Sequence, residues 1–573
     1  MNNKLFEEII LYNQTNVGLE KLFYDLAEIE AEKWSEIESR KIANWTTLFS
    51  QIAAKAQKNT VITEVETGAS YSYRELEEAS EKIKEFILAT TDDHHIGLHY
   101  PNSFAFMAAL IGINKAGRIA ILFNNREPQE RLVKLAETTS VKTVFGDPIG
   151  ELEYHTIEKI IQNEQSYQPR YQIHITTLED PAFVIFTSGT SGPSKPALFS
   201  HRRMIGAGVA WGLRTGMESS DSCYIALPLY HGNGLAVAFS AVIFSGATAV
   251  VRRKFSVTYF WEDINRYGCS HMVYIGELWR YLTSTDKGGE NPNRSLKVIF
   301  GNGLNRSLWE DVLKRYGIEH VVEHFGATEM PAGALTNWFD IPGYCGYLPP
   351  DDPKAQEMVL VDEEMNPNRE RGEALFVVPG GKYRGYMDER LDEKKLVRNL
   401  FEKGDLWWRS GDLLERNEQG FFTFIERLGD TYRFKGENVA CVDVEEAIRN
   451  AGDFDEVVVY GIALPPIDGK IGMASLVSSE PFGTEEANTL YENLKGKVAP
   501  YALPYILRIQ REKHPTTSTL KIQKAHLAEE GIERFKEMPH YILLEEGYRP
   551  LDAQTYQGIM EGELVLGMTK GKQ

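Results

Sequence analysis

An apolar run, Ala182-Phe183-Val184-Ile185-Phe186, passes directly into Thr187-Ser188-Gly189-Thr190-Ser191-Gly192-Pro193-Ser194-Lys195-Pro196. Five apolar residues bounded by turn chemistry read as a buried strand. The loop after it would leave a sheet edge with backbone N–H groups free to converge on an anion. Gly189 and Gly192 permit positive φ and close backbone approach, Thr187, Ser188, Thr190 and Ser191 supply hydroxyls, and Lys195 supplies positive charge. This is the composition of a loop built to hold phosphate, although a Ser/Gly surface turn shares it. The spacing differs from the P-loop, in which four residues separate two glycines and the second precedes Lys-Ser/Thr.

Elsewhere, strand-like runs such as Ile96-Gly97-Leu98-His99-Tyr100 and Val141-Lys142-Thr143-Val144-Phe145 alternate with helical stretches such as Phe104 to Ala116. Such alternation predicts a wound α/β domain with mostly parallel strands and ligands at the strand ends. At 573 residues the chain exceeds what one core organises. We therefore expect an N-terminal helical extension over 1–43, a large α/β domain with subdomains over 44–428, and a small mobile α+β domain over 429–573 joined by a hinge. In the extension, Leu19, Leu22, Phe23, Leu26 and Ile29 fall at helical spacing and would pack on the body of the protein. The acidic neighbours Glu20, Asp25, Glu28, Glu30 and Glu32 oppose the rival reading, a helix lying on lipid.

Charge narrows the function. The formal net charge of −20 argues against a protein that coats nucleic acid or adheres to anionic lipid, both of which need basic surface. Anionic substrates would instead require a local positive field made by a few lysines and a bound cation. Cys223, Cys269, Cys345 and Cys441 show no CxxC pairing, which points to buried free thiols and not to zinc or disulfides. The stretch Ser222 to Val251 carries no charged side chain until its end, but Pro228, His231, Asn233 and Gly246 interrupt it, short of the ~20 apolar residues that a span requires. With no signal-peptide pattern at MNNKLFEEIILYNQ, the expectation is a cytoplasmic protein, at most peripheral at membranes.

The loop resembles the phosphate-binding signature of the adenylate-forming superfamily: acyl-CoA synthetases, luciferases and the adenylation domains of peptide synthetases. That family ends the loop Gly-x-Pro-Lys-Gly; here it reads Gly192-Pro193-Ser194-Lys195-Pro196, with the lysine in place. Phe325-Gly326-Ala327-Thr328-Glu329, Ser410-Gly411-Asp412, Arg427 and Thr516-Thr517-Ser518-Thr519-Leu520-Lys521 match further family segments in the expected order. Within the superfamily the chain is most similar to the fatty acid transport protein, or very-long-chain acyl-CoA synthetase, branch. Leu227-Pro228-Leu229-Tyr230-His231, Tyr274-Ile275-Gly276-Glu277-Leu278, Gly301-Asn302-Gly303-Leu304 and Gly429 to Val439 carry that likeness.

The resemblance implies an ATP-dependent carboxylic acid–CoA ligase that forms an acyl adenylate from a fatty or other lipophilic acid. Thr187 to Lys195 would hold the β- and γ-phosphates, and Glu329, beside Thr328, would ligate Mg²⁺. Gly301, Asn302, Gly303 and Phe325, with Gly326 and Ala327, would form the adenine slot, and Asp412 and Arg427 would bind ribose. Lys521 would reach the reacting carboxylate and phosphate. Lys435, Gly436 and Glu437 would present CoA, with Gly429 giving the hinge its freedom. His231 is a candidate gate for the acyl group or thiol, or a satisfied core histidine; Tyr274 and Gly276 are candidates for the acyl pocket. Two rivals stand beside this reading: a ligase that loads the pantetheine of an acyl carrier protein, and a fatty-acid binding or uptake protein without catalysis.

Overall fold

A computed structural model describes residues 18–187, 195–285, 290–331, 333–350, 357–362, 364–378, 380, 383–428, 432–434, 437–439, 441–464, 470–516, 522, 524–544 and 547–561. Two sheets with mostly parallel strands dominate the first 340 of these positions. A six-stranded sheet runs in the order Glu153–His155, Thr143–Gly146, His95–His99, Ile119–Leu122, Pro181–Thr187 and Lys195–Ser200. The run beginning at Ala182 is thus a buried strand, parallel to Ile119–Leu122 and antiparallel to Lys195–Ser200. An eight-stranded sheet places His320–Phe325, Val298–Asn302, His271–Ile275, Ser222–Ile225, Thr248–Val251 and Thr60–Glu64 side by side in parallel, with a short antiparallel strand at each edge.

Helices cover the apolar faces of both sheets. Phe104–Lys115 is apolar all round and nearly all its residues are buried, as a helix clasped between layers requires. Ser103 caps its first turn by accepting from the Phe106 N–H at 3.1 Å. Helix α1, Leu19–Ser39, buries Leu22, Leu26 and Ile37 in the same core that holds both sheets, and packs against helix α2, His201–Arg214. Ser200 caps α2, its hydroxyl accepting from the Arg203 N–H at 3.3 Å.

A seven-stranded antiparallel sheet follows, built around Arg371–Val377, Leu406–Arg416 and Phe421–Arg427. Beyond it, Glu456–Ile462, Ile471–Val477, Ile506–Gln510, His540–Leu544 and Gly547–Pro550 form a five-stranded sheet. The helices Cys441–Ala451 and Thr484–Leu494 cover this sheet, and its apolar core is separate from the first. All four cysteines are buried free thiols. Among the described residues, no helix is long and apolar enough to cross a membrane.

Candidate active site

Strand pairing sets Thr187 opposite Lys195, so the two ends of the Gly/Ser/Thr loop meet at one point. Ser188, Gly189, Thr190, Ser191 and Gly192 lie outside the described residues. Thr187 and Lys195 open onto a cavity of about 740 Å³, and Asn302, Gly326, Ala327, Thr328, Glu329 and Arg427 line it with them. Residues spread over 240 positions of sequence therefore share one wall, as a binding cleft at strand ends demands.

Glu329 is fixed from two sides. Tyr386 donates its hydroxyl to Glu329 Oε1 at 2.7 Å, and Tyr383 donates to the Glu329 carbonyl at 2.7 Å. Burial holds both phenols above their ordinary range, helped by the Glu329 charge at Tyr386 and by Asp392 and then Glu329 at Tyr383, so they remain neutral donors. Tyr386 is itself anchored by a bridge to Ala197, which ties the Glu329 carboxylate to the strand that begins at Lys195. The carboxylate keeps acceptor capacity beyond this one bond. Among the described residues no three His, Cys, Asp or Glu side chains cluster as a metal cage. A divalent ion at Glu329 would therefore complete its shell with phosphate oxygens and water, the habit of Mg²⁺.

Two further cations line the same cavity. Arg203, in the first turn of α2, is half-buried, and desolvation lowers its guanidinium to about 10, partly offset by Tyr383 and Glu329. Lys395 lines the cavity with its ammonium donating to the Ser410 carbonyl at 3.0 Å and lying 5.3 Å from the centre of the Trp408 ring. Burial holds Lys395 below the usual lysine range, against the pull of Glu329 and Asp412. Neither residue belongs to a motif in the sequence. Their signal is the burial of a charge, which exists only once the strands are in place.

Asp412 is buried and accepts from Arg427 Nε at 3.1 Å, the two standing opposite each other on paired strands. Gly411 between Ser410 and Asp412 has φ +74°, a conformation that side chains rarely adopt. Its N–H donates to Glu373 at 3.1 Å, so the turn that aims Asp412 is held from behind.

Other predicted residues stand one layer back. Gly301 and Gly276 are sites of close backbone approach: a Cβ on either would sit 2.0 Å from a carbonyl oxygen, of Tyr274 and Gly303 respectively. Gly303 has φ +97°, and its N–H donates to the buried Glu323. Burial pushes the Glu323 carboxyl up to about 8 although Tyr274, Gly303 and Leu304 all donate to it. Tyr274 and Gly276 lie outside the described cavity lining, which their neighbour Ile275 does join. The hydroxyl of Tyr274 is spent on Glu323, and Gly276 faces backbone. Phe325 is buried between Phe376 and Phe424, each ring 6.2 Å away. His231 does line the cavity, as do Asn233, Ala236 and Val237 of the π-helical stretch Asn233–Phe239. Such stretches mark functional sites more often than other helices.

Gly429, Lys435, Gly436 and Lys521 lie outside the described residues, and Glu437 begins a short strand paired with Tyr432–Phe434.

A profile of the family described as AMP-binding enzyme matches residues 49–387. Human long-chain fatty acid transport protein 1 is 29% identical over 571 residues, covering 91% of this chain and 88% of that protein. The medium/long-chain-fatty-acid–CoA ligase FadD6 of Mycobacterium tuberculosis is 32% identical over 498 residues, covering 80% of this chain and 81% of the relative. Among solved structures, O-succinylbenzoate coenzyme A synthetase (MenE) from Bacillus subtilis with ATP and magnesium superposes with a TM-score of 0.70 at 21% identity, over 85% of this chain and 99% of that one. ATP-bound MatB from Rhodopseudomonas palustris gives 0.73 at 18% identity, over 85% and 98%. At those identities the likeness is one of fold, whereas the profile spans more than half of the sequence: the chain belongs to the AMP-binding enzyme family.

Proposed function

We propose that this protein is an ATP-dependent acyl-CoA synthetase for a fatty acid. The carrying observation is a single cavity lined both by the charged side chains of Lys195, Arg203, Lys395, Glu329 and Arg427 and by the apolar Ala207, Trp211, Val237 and Ile275. Charged and apolar lining together fit a substrate pair of nucleotide and lipophilic acid. The ligase and transport-protein names of the relatives support the same substrate class.

In the first half-reaction a carboxylate oxygen of the acid bonds to the α-phosphorus of ATP, the bond to the bridging oxygen breaks, and pyrophosphate leaves with the electron pair. Two anions must approach, so the site has to supply cations aimed at the charge that develops. Lys195 and the loop before it hold the β- and γ-phosphates, and Arg203 and Lys395 set a positive field beside them. Glu329 would hold Mg²⁺, which would supply charge neutralisation at the phosphates. Asp412 and Arg427 hold the ribose, and Lys521 approaches the reacting oxygens. In the second half-reaction the CoA thiolate attacks the acyl carbon and AMP leaves, with Lys435, Gly436 and Glu437 presenting the pantetheine arm and Gly429 turning the 429–573 unit. His231, which lines the cavity, is the candidate gate for the acyl group or thiol.

The test is pyrophosphate release from ATP and Mg²⁺ across a series of carboxylic acids, with the thioester followed by mass spectrometry. Acid-dependent pyrophosphate and acyl-CoA are expected. Release without CoA product, but with transfer to a carrier-protein pantetheine, would change the acceptor. No acid-dependent release would reduce the protein to a binding role and refute the proposal.

A further inference from the structure

Helix α2 runs along the cavity with Arg203, Gly206, Ala207, Ala210, Trp211 and Arg214 on its wall. From Arg203 to Arg214 this face is about 16 Å long. Its two ends differ. At the first, Arg203 lies 4.3 Å from the centre of the Phe199 ring, on the strand that begins at Lys195. At the second, Arg214 pairs with Glu30 of α1 at 2.5 Å and donates from Nε to Thr336 Oγ1 at 3.0 Å. Between them the small side chains of Gly206, Ala207 and Ala210 leave the throat open. Trp34 of α1 closes it from the side, its ring 3.3 Å from where a Cβ on Gly206 would stand.

Behind the Glu30–Arg214 pair lies a second cavity of about 240 Å³, lined by Phe23, Leu26, Ala27, Trp338, Met358 and Phe376 among others. Glu30, Arg214, Gly333, Ala334 and Thr336 line both cavities, so the ion pair stands in a shared wall. The pair is mostly buried, with 26% and 16% of the two side chains exposed. A methylene chain pushed between its members would desolvate both charges and return no hydrogen bond, a cost that apolar contact does not recover.

We infer that α1 is the floor of the acyl site and that the Glu30–Arg214 ion pair is the stop that sets the longest acid accepted, with the apolar cavity behind it closed to substrate. The inference rests on the acyl-CoA synthetase reading and deepens it. It assigns chain-length selection to a segment that precedes the family-matched residues 49–387.

The test measures kcat/KM for pyrophosphate release over straight-chain saturated acids of increasing length. In the unaltered protein the value should climb about fourfold per added methylene while the tail still gains apolar contact, and then break sharply. Glu30→Leu with Arg214→Met removes both charges together, so no lone charge is left buried, and should move the break to longer acids. Adding Ala27→Phe fills the second cavity and should move the break back. Ala27→Phe alone should leave the break where it was, and this arm decides the matter even if the double variant does not fold. A break that Ala27→Phe alone moves to shorter acids would mean the tail already occupies the second cavity, overturning the stop. So would a folded double variant, judged by its melting curve, with an unmoved break. Activity across the series with no break at all would also refute it while sparing the synthetase reading, whereas no activity with any acid would refute both.

Discussion

Replacing Tyr386 with phenylalanine removes one hydroxyl and tests how Glu329 is positioned. The hydroxyl donates to the Glu329 carboxylate at 2.7 Å from a residue that is itself buried and bridged to Ala197. A hydrogen bond to a charged group contributes about 1.5–3 kcal/mol, which converts to roughly ten- to a hundredfold. Loss of a group that orients a metal-binding carboxylate acts on the same scale, about 10–100-fold in metal affinity or activity. The ring itself is retained, so packing should change little. We therefore expect Tyr386→Phe to require roughly ten- to a hundredfold more Mg²⁺ for half-maximal pyrophosphate release, with the KM for the acid nearly unchanged. Initial rates would be recorded over a Mg²⁺ titration at saturating ATP, with melting temperature as the control for folding. An unchanged Mg²⁺ requirement in a folded variant would separate Tyr386 from the metal and remove the reason for assigning Glu329 to it.

Three other outcomes are expected. Glu329→Gln keeps shape but removes charge, and should lower adenylation by roughly 10²-fold or more in an initial-rate assay; normal activity at limiting Mg²⁺ would exclude a ligand role. The Glu323 carboxyl is raised to about 8 by burial, so it costs nothing below its unfolded value near 4.3 and becomes costly as pH rises from there to 8. Glu323→Gln should therefore gain stability relative to the parent progressively as pH rises over that window; parallel stability curves from denaturant unfolding would refute the shift. Lys521→Ala should lose acyl-AMP synthesis yet convert supplied acyl-AMP and CoA to thioester, and Gly436→Trp should do the reverse. Equal loss of both partial reactions in folded Lys521→Ala would count against two faces of one small domain.

The legible parts of the site were those where local chemistry is unusual. A run of five apolar residues ending in a Gly/Ser/Thr loop can be read without neighbours, whereas Glu329 is singled out only by the likeness of Phe325-Gly326-Ala327-Thr328-Glu329 to a family segment. Helix α1 was legible from the spacing of Leu22 and Leu26, but not that Glu30 and Trp34 would face a cavity, since amphipathic periodicity tells inside from outside and not core from cleft. The face of Tyr274 was not legible for a related reason: every residue of His271–Ile275 is buried, and period-two alternation in a strand covered on both sides does not say which face meets ligand. Tyr386 and Lys395 carried no motif at all. They become site residues only because Tyr386 bridges to Ala197 and Lys395 reaches the Ser410 carbonyl, contacts across 189 and 15 positions of sequence.

Oxygen-isotope tracing tests the central claim most directly. A fatty acid that the protein accepts would be labelled with ¹⁸O in its carboxylate and turned over with ATP, Mg²⁺ and CoA, and the AMP and pyrophosphate analysed by mass spectrometry. Attack of the carboxylate on the α-phosphorus leaves one ¹⁸O in AMP and none in pyrophosphate. Label in inorganic phosphate with ADP as the nucleotide product, or unlabelled AMP, would contradict formation of an acyl adenylate in this cavity.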